Sequence, residues 1–179
     1  APLGLGLSNG AVLTLGDANG GILAGGSFLA GTGPGGLGTY ASKVAWFTNG
    51  SWQNIGSGTN GVVSGCTRTA AGKMLVVGNF TSGNGNAVEC LAEVTSSTFY
   101  PVPDVSMAPT SGSDVTAVIE LPNQGLMVGG TSLSARANPS APPTFDCVQR
   151  YDPWSGTWTR LLVQTGDGRM AFAVAANGD

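Results

Sequence analysis

The sequence predicts an all-β protein built from a repeated unit, and three observations carry this prediction. Gly26, Gly78 and Gly130 are evenly spaced, 52 residues apart, and a period of this length is typical of repeat architectures. Each glycine ends a short apolar run bounded by turn residues, which favours a buried strand over a helix. Of the 179 residues, 30 are glycine and 9% are charged, which suits short strands joined by tight turns.

Every unit opens with a predicted β-hairpin. Its second strand is the apolar run that ends at the repeated glycine, and its first strand lies just upstream. Between the two strands stand Gly and Asn residues, which supply the positive φ that tight hairpins need. The predicted first strands are 11–15, 62–69 and 115–121, and the predicted second strands are 21–24, 74–77 and 126–128.

A third and a fourth strand complete each unit. After the glycine comes a polar loop, then an apolar strand, a short turn and a strand marked by an aromatic residue. The predicted third strands are 43–47, 88–94 and 145–151, and the aromatic markers of the fourth strands are Trp52, Phe99 and Trp158. Four short strands in about fifty residues are typical of one blade of a β-propeller.

The repeat also divides the chain. It predicts that residues 1–9 are the tail of a preceding blade, that 10–60, 61–113 and 114–168 are three blades, and that 169–179 begin a further blade. A propeller usually closes with 4–8 blades, so this one is incomplete. Either the sequence is a fragment of a longer protein, or neighbouring copies satisfy its open edges and form a homopolymer.

Recognition is expected in the loops between the second and third strands, because loops on a rigid scaffold commonly carry function. The predicted loops span 27–40, 81–87 and 131–144, and they are rich in Gly, Ser, Thr and Pro. All three are expected on the same face of the propeller.

The blade motifs resemble the kelch-type β-propeller repeat. That family carries glycines at the end of the second strand, a tyrosine in the third and a tryptophan in the fourth. The third unit matches this pattern with Gly130, Tyr151 and Trp158. The other units depart from it, since Trp46 replaces the tyrosine and Phe99 the tryptophan. The residues of these repeats are similar to those of the kelch-like repeats in large cell-surface proteins, and such a resemblance implies a fold rather than an activity.

Charge and composition argue against several functional classes. The net charge is −3 and the seven basic residues are scattered, which argues against a nucleic-acid partner. No apolar stretch is long enough to span a bilayer. The chain has no histidine and no closely spaced cysteine pair, so no metal site or cofactor is predicted. Some kelch-like propellers are copper oxidases with His and Tyr ligands, but this sequence lacks that motif. We therefore predict no catalytic residue and no enzyme.

Two of the three cysteines are a candidate disulfide. Cys66 lies in the first strand of its unit and Cys90 in the third, about 9.6 Å apart if the strands are regular. A disulfide spans about 7 Å at most between Cα atoms, so this bridge would need distorted strands. The alternative is that all three cysteines, including Cys147, are buried free thiols.

Two sequons and one tryptophan are candidate contact sites. Asn49 and Asn79 each begin an Asn-x-Ser/Thr motif, and Asn49 is the better glycosylation site because it lies in a predicted hairpin turn. Trp154 lies in a predicted turn between the third and fourth strands of its unit. If exposed, its ring would stack on a sugar or a partner side chain; otherwise it covers the edge of its blade.

Three functions fit these features. The first is a non-enzymatic structural and adhesive protein, extracellular or at the cell surface, that presents its loops and glycans to protein or glycan partners. The second is a carbohydrate-binding propeller, or the binding part of a secreted carbohydrate-active enzyme. The third is a subunit of a self-assembling extracellular filament.

Overall fold

A computed structural model of the chain describes residues 6–32, 38–39, 42–102, 114–121, 125–133, 146–152 and 154–163. Within these ranges the chain forms seventeen β-strands and no helix, which confirms the predicted all-β class. The same part of the chain therefore offers no helix able to cross a membrane. In chain order the strands are β1 Leu7–Ser8, β2 Val12–Asp17, β3 Ile22–Gly26, β4 Ala30–Thr32, β5 Gly38–Thr39, β6 Val44–Thr48, β7 Ser51–Asn54, β8 Val63–Arg68, β9 Met74–Gly78, β10 Ser82–Gly83, β11 Asn86–Ala87, β12 Leu91–Val94, β13 Phe99–Pro101, β14 Asp114–Leu121, β15 Gly125–Leu133, β16 Asp146–Asp152 and β17 Thr157–Val163.

Three four-stranded antiparallel sheets hold most of these strands. The first sheet has the order β2-β3-β6-β7, the second β8-β9-β12-β13 and the third β14-β15-β16-β17. Each sheet is a meander in chain order, and its strands lie within a few residues of the predicted positions. The boundaries proposed for the units themselves stay predictions.

Asn-Gly pairs form the tight turns of the first sheet. Asn19 and Gly20 have φ of 53° and 90°, and Asn49 and Gly50 have φ of 50° and 77°. Two successive residues with positive φ make the turn whose twist matches that of paired strands. The turn residues therefore fix where β2 meets β3 and where β6 meets β7.

The repeated glycine has a steric cause that is the same in all three sheets. At this position the first strand bulges, since the pairing skips one residue of β2, β8 and β14. The bulge pushes a backbone carbonyl toward the second strand, and a Cβ at the glycine would overlap that oxygen. The glycines and the carbonyls they face are Gly26 with Ala11, Gly78 with Val62, and Gly130 with Asp114.

The residue after the glycine ties the first strand to the second. The Ser27 hydroxyl accepts a hydrogen bond from the Ala11 N–H at 3.0 Å, and Oδ1 of Asn79 accepts one from the Val62 N–H at 2.7 Å. The following residue is Phe28 or Phe80, and both rings are fully buried. The repeated Gly-Ser/Asn-Phe motif is thus explained by packing and hydrogen bonding.

The three sheets stack through opposite faces. One apolar cluster joins the first sheet to the second and contains Leu23, Val44, Val63 and Val76. A second cluster joins the second sheet to the third and contains Leu75, Val77, Leu91, Val118 and Val128. Because neighbours along a strand point to opposite sides, Leu75 faces the third sheet while Val76 faces the first. The first strands β2, β8 and β14 lie side by side.

Short ribbons occupy two segments that were predicted as loops. In the first, β4 pairs with β5 and also with β1, where Leu7 lies opposite Gly31. In the second, β10 pairs with β11, and Thr59 bridges to Gly83. These two contacts are 52 residues apart in the sequence, so the repeat includes the connector before each first strand. The predicted blade start at 169–179 and most of the loop 131–144 lie outside the described residues.

Asn60 fastens the second of these connectors to its ribbon. Its Oδ1 accepts hydrogen bonds from the Thr81 and Ser82 N–H groups at 2.9 and 3.0 Å. Its amide nitrogen donates to the Thr81 hydroxyl at 2.8 Å, and its backbone N–H donates to the Ser82 carbonyl at 3.1 Å. One residue thus makes four hydrogen bonds to the segment that leads into β10.

Candidate functional site

A cleft of about 360 Å³ lies between the second and third sheets. Its mouth is formed by the turn that joins β8 to β9 and by the start of β15. Leu75, Val102 and Leu126 supply apolar walls, and polar groups converge from both sheets. A concave site with an apolar lining and a few polar groups is the usual form of a small-ligand site.

The second sheet contributes an ion pair to the cleft. Nζ of Lys73 lies 2.7 Å from Oε2 of Glu93, and the two side chains are 55% and 23% exposed. Lys73 ends the β8–β9 turn, while Glu93 lies on β12 opposite Leu75. Such an exposed pair contributes about 0–1 kcal/mol to stability, so its groups can exchange partners with a ligand at little cost.

The third sheet contributes Glu120 and Tyr151. The Glu120 carboxylate accepts a hydrogen bond from the Ala70 N–H and so ties β14 to the turn of the second sheet. Tyr151 lies on β16 opposite Leu126 and is 7% exposed. The cleft therefore combines one ammonium group, two carboxylates and a phenol over an apolar floor. This set suits hydrogen bonding to a polar ligand.

At the junction between the first and second sheets, the tie to the preceding turn is made by a positively charged residue and not by a carboxylate. Arg68 donates from Nη1 to Oδ2 of Asp17 at 3.2 Å and from Nη2 to Oδ1 of Asn19 at 3.3 Å. We call residues equivalent when they hold the same position in the strand pairing of two sheets. By this definition Arg68 and Glu120 are equivalent. Arg68 pairs with Met74 at the start of β9, and Glu120 pairs with Leu126 near the start of β15. Each ties its sheet to the turn of the preceding one.

Trp154 is 77% exposed in the turn between β16 and β17. Its backbone N–H donates to Oδ1 of Asp152 at 2.9 Å, and the Ser155 hydroxyl donates to Oδ2 at 2.8 Å. The hydrogen bond from Trp154 and then that from Ser155 hold the pKa of the Asp152 carboxyl below its usual range. The ring is therefore presented to solvent from a turn held by hydrogen bonds and does not cover the edge of its sheet.

The two sequon asparagines are exposed but differ in their partners. Asn49 begins the turn between β6 and β7, while Asn79 follows β9 and bonds to Val62 through Oδ1. The structure therefore gives Asn79 a structural role. Glycosylation at either position stays a prediction.

The thiols of Cys66 and Cys90 are free, so the candidate bridge between them is absent from the structure. Sγ of Cys66 lies 3.3 Å from the Thr14 hydroxyl of the first sheet. Burial raises the pKa of this thiol, and the hydrogen bond to Thr14 offsets part of the rise. Burial, with smaller contributions from Glu89 and Asp114, raises the pKa of Cys90 to about 11. Both thiols are poor nucleophiles, because the reactive form is the thiolate. The side chain of Cys147 lies outside the described residues.

Sequence reasoning did not identify the cleft. In the structure, two of its polar groups meet as the ion pair of Lys73 with Glu93. The 52-residue spacing of Arg68 and Glu120 was a signal that could have located the contact between sheets. Within the described ranges, no group of three or more His, Cys, Asp and Glu side chains could hold a metal ion.

Comparison with protein-family models and with curated proteins finds no match to this chain.

Proposed function

We propose that the chain forms part of a kelch-like β-propeller that acts as a non-enzymatic structural and adhesive protein, extracellular or at the cell surface. The observation that carries this proposal is the stacking of three successive meander sheets through opposite faces, with β2, β8 and β14 side by side. Sheets arranged radially about their first strands are the blade architecture of propellers. Low charge and polar loops fit a protein that presents surfaces to partners.

The cleft between the second and third sheets is the proposed contact point for a partner. Its ion pair is exposed and its floor is apolar, so a polar group on an apolar stem would satisfy both. Protein or glycan partners of the cell surface offer such groups.

Flow cytometry tests this proposal with the fluorescently labelled chain and intact cells that carry the native protein. We expect saturable binding that falls about tenfold when Lys73→Met and Glu93→Gln are combined, a loss typical of an interface hot spot. The control is Arg68→Gln, which removes the ion pair with Asp17 at the junction between the first and second sheets. Binding no stronger than that of an unrelated acidic protein would contradict the adhesive role. A native protein found only inside cells would contradict the proposed location.

Carbohydrate binding is the second candidate, and the exposure of Trp154 favours it. A solvent-facing indole held in a braced turn is suited to stacking on the apolar face of a sugar ring. A glycan array probed with the wild-type chain and with Trp154→Ala tests this role. We expect loss of the bound glycans in Trp154→Ala and their retention in Tyr100→Ala, a control aromatic that is 50% exposed on β13. Equal signals from all three chains would refute it.

A further inference from the structure

The outer face of the first sheet, which points away from the second sheet, exposes apolar residues that the repeat buries elsewhere. Val12 is 44% exposed, whereas its equivalents Val63 and Val115 are 0% and 1% exposed. Leu15 is 61% exposed, whereas its equivalent Val118 is 7% exposed. In the second and third sheets, these positions are covered by the preceding sheet. Among the described residues, the first strand of this sheet therefore exposes positions that the other two sheets bury at their junctions, while Ala24 and Ala45 on the same face are buried in a cluster with Phe28 and Trp52.

The two junctions within the chain show what kind of surface would pack on this outer face of the first sheet. At each junction the covering sheet contributes an apolar residue from the middle of its second strand, Leu23 in the first sheet and Leu75 in the second. The third sheet holds the equivalent residue, Met127, opposite Ile119 on its own outer face. Both of these side chains are half-buried. The third sheet thus offers the face that the first sheet lacks.

Charge favours the same match. In the cleft between the second and third sheets, Glu93 of one sheet and Glu120 of the next line the same space. The residue equivalent to Glu93 in the third sheet is Arg150, and the residue equivalent to Glu120 in the first sheet is Asp17. A third sheet packed on a first sheet would therefore bring an arginine and an aspartate together where the existing junction holds two carboxylates. Opposite charges across an interface favour correct docking.

We propose that the outer face of the first sheet binds the third sheet of a second copy of this chain. The contact is heterologous, because the two faces differ, and it continues the stacking already present within one chain. This inference rests on the stacking of the sheets and is independent of the ligand of the cleft.

Sedimentation velocity of the whole chain over a wide concentration range tests the contact. We expect species of twice the 17.8 kDa chain mass or larger. Leu15→Glu should weaken this association about tenfold or more, since it places an unpaired charge at the centre of the interface. Tyr100→Glu is the matched control, because Tyr100 is also about half exposed but lies on β13 of the second sheet. Since Leu15 is mostly exposed, the far-ultraviolet circular dichroism should be unchanged.

A charge exchange sharpens the test. In an Arg68→Gln background, which removes the partner of Asp17 within the chain, Asp17→Lys and Arg150→Glu should each weaken association, and combining the two should recover most of it, because the two charges are reversed together. A strictly monomeric wild-type chain would overturn the proposal and show that another partner or a further repeat covers this face. Association that Leu15→Glu leaves unchanged would also overturn it. Failure of recovery in the double variant, with both single variants weakened, would overturn the pairing of the third sheet with the first.

Discussion

The junction between the first and second sheets and the junction between the second and third share one backbone plan but differ in how they are filled. In the first junction, Trp46 lies on β6 opposite Leu23 and packs against the apolar cluster. In the second, the equivalent residue is Glu93, opposite Leu75, and it lines the cleft with Lys73. A large aromatic side chain is thus replaced by a smaller carboxylate at the same position.

This difference shows how a repeat acquires a site without changing its frame. The bulge, the glycine and the stacking of faces are the same at both junctions, because they depend on backbone geometry and small residues. The cleft depends on the side chains that the frame leaves unconstrained. Residues that recur in every sheet are those that stabilise the fold. Positions that depart from the repeat indicate where a specific function is to be sought.

The largest effect is expected from the shared frame. Phe80→Ala should lower the free energy of unfolding by about 3–5 kcal/mol, because the ring is fully buried between the first and second sheets and its loss leaves a cavity. Leu126→Ala, at the wall of the cleft, should cost about 2 kcal/mol, the lower end for such a change. Urea unfolding of both variants measures the contrast. Equal losses would mean that the cleft wall is packed as tightly as the closed junction.

Trp46 and Glu93 hold the same position at the two junctions, but replacing each by alanine should lower the free energy of unfolding by unequal amounts. Trp46→Ala should destabilise the protein by about 3 kcal/mol, because it removes a partly buried aromatic that packs on the core. Glu93→Ala should cost about 0–1 kcal/mol, since it removes only an exposed ion pair. The same unfolding assay compares them. A loss from Glu93→Ala as large as that from Trp46→Ala would contradict the interpretation of the cleft as open.

The ties between sheets should differ in their response to salt. Arg68→Gln should lower stability by about 0.5–1 kcal/mol at low ionic strength, and the difference from wild type should shrink at high salt because the pair with Asp17 is exposed and screened. Glu120→Gln keeps an oxygen that can accept from Ala70, so its effect should be smaller and less salt-dependent. Thermal unfolding at two salt concentrations tests this. Identical salt responses would show that charge does not distinguish the two ties.

The two thiols report on the two junctions separately. Cys90 is 1% exposed among the residues that join the second and third sheets, whereas Cys66 is half-buried beside the first. In a Cys147→Ala background, a thiol reagent should therefore modify Cys66 first, and adding Cys66→Ala should leave a slow reaction at Cys90. A faster reaction at Cys90 would place solvent inside the second junction.

The raised pKa of Cys90 also predicts a pH dependence. Its folded pKa of about 11 lies above the ordinary value of 9.0, so the folded state retains the proton longer than the unfolded state. The resulting stabilisation is present below pH 9 and is lost as pH rises from 9 to 11. Cys90→Ala should remove this part of the decline in urea midpoints. An unchanged slope in that variant would assign the decline to other groups.

The frame could be predicted from the sequence because its causes are local. Gly26, Gly78 and Gly130 mark the same steric constraint, and the apolar runs before them have the length of strands. The ribbons β4–β5 and β10–β11 escaped prediction, because two-residue strands in polar segments leave almost no periodic signal. The cleft escaped for a different reason. Lys73, Glu93 and Glu120 meet only after two sheets have stacked, and nothing in their spacing reveals which faces pair.

The four hydrogen bonds of Asn60 have a mechanical consequence. A pull on the connector between the first and second sheets loads these bonds together, so they share the force and do not open one after another. The ribbon β10–β11 then anchors the connector before β8, and tension reaches the second sheet only after all four hydrogen bonds have broken. Asn60→Ala would turn a single rupture event into gradual peeling. This one side chain would thereby set how abruptly the connector yields under tension.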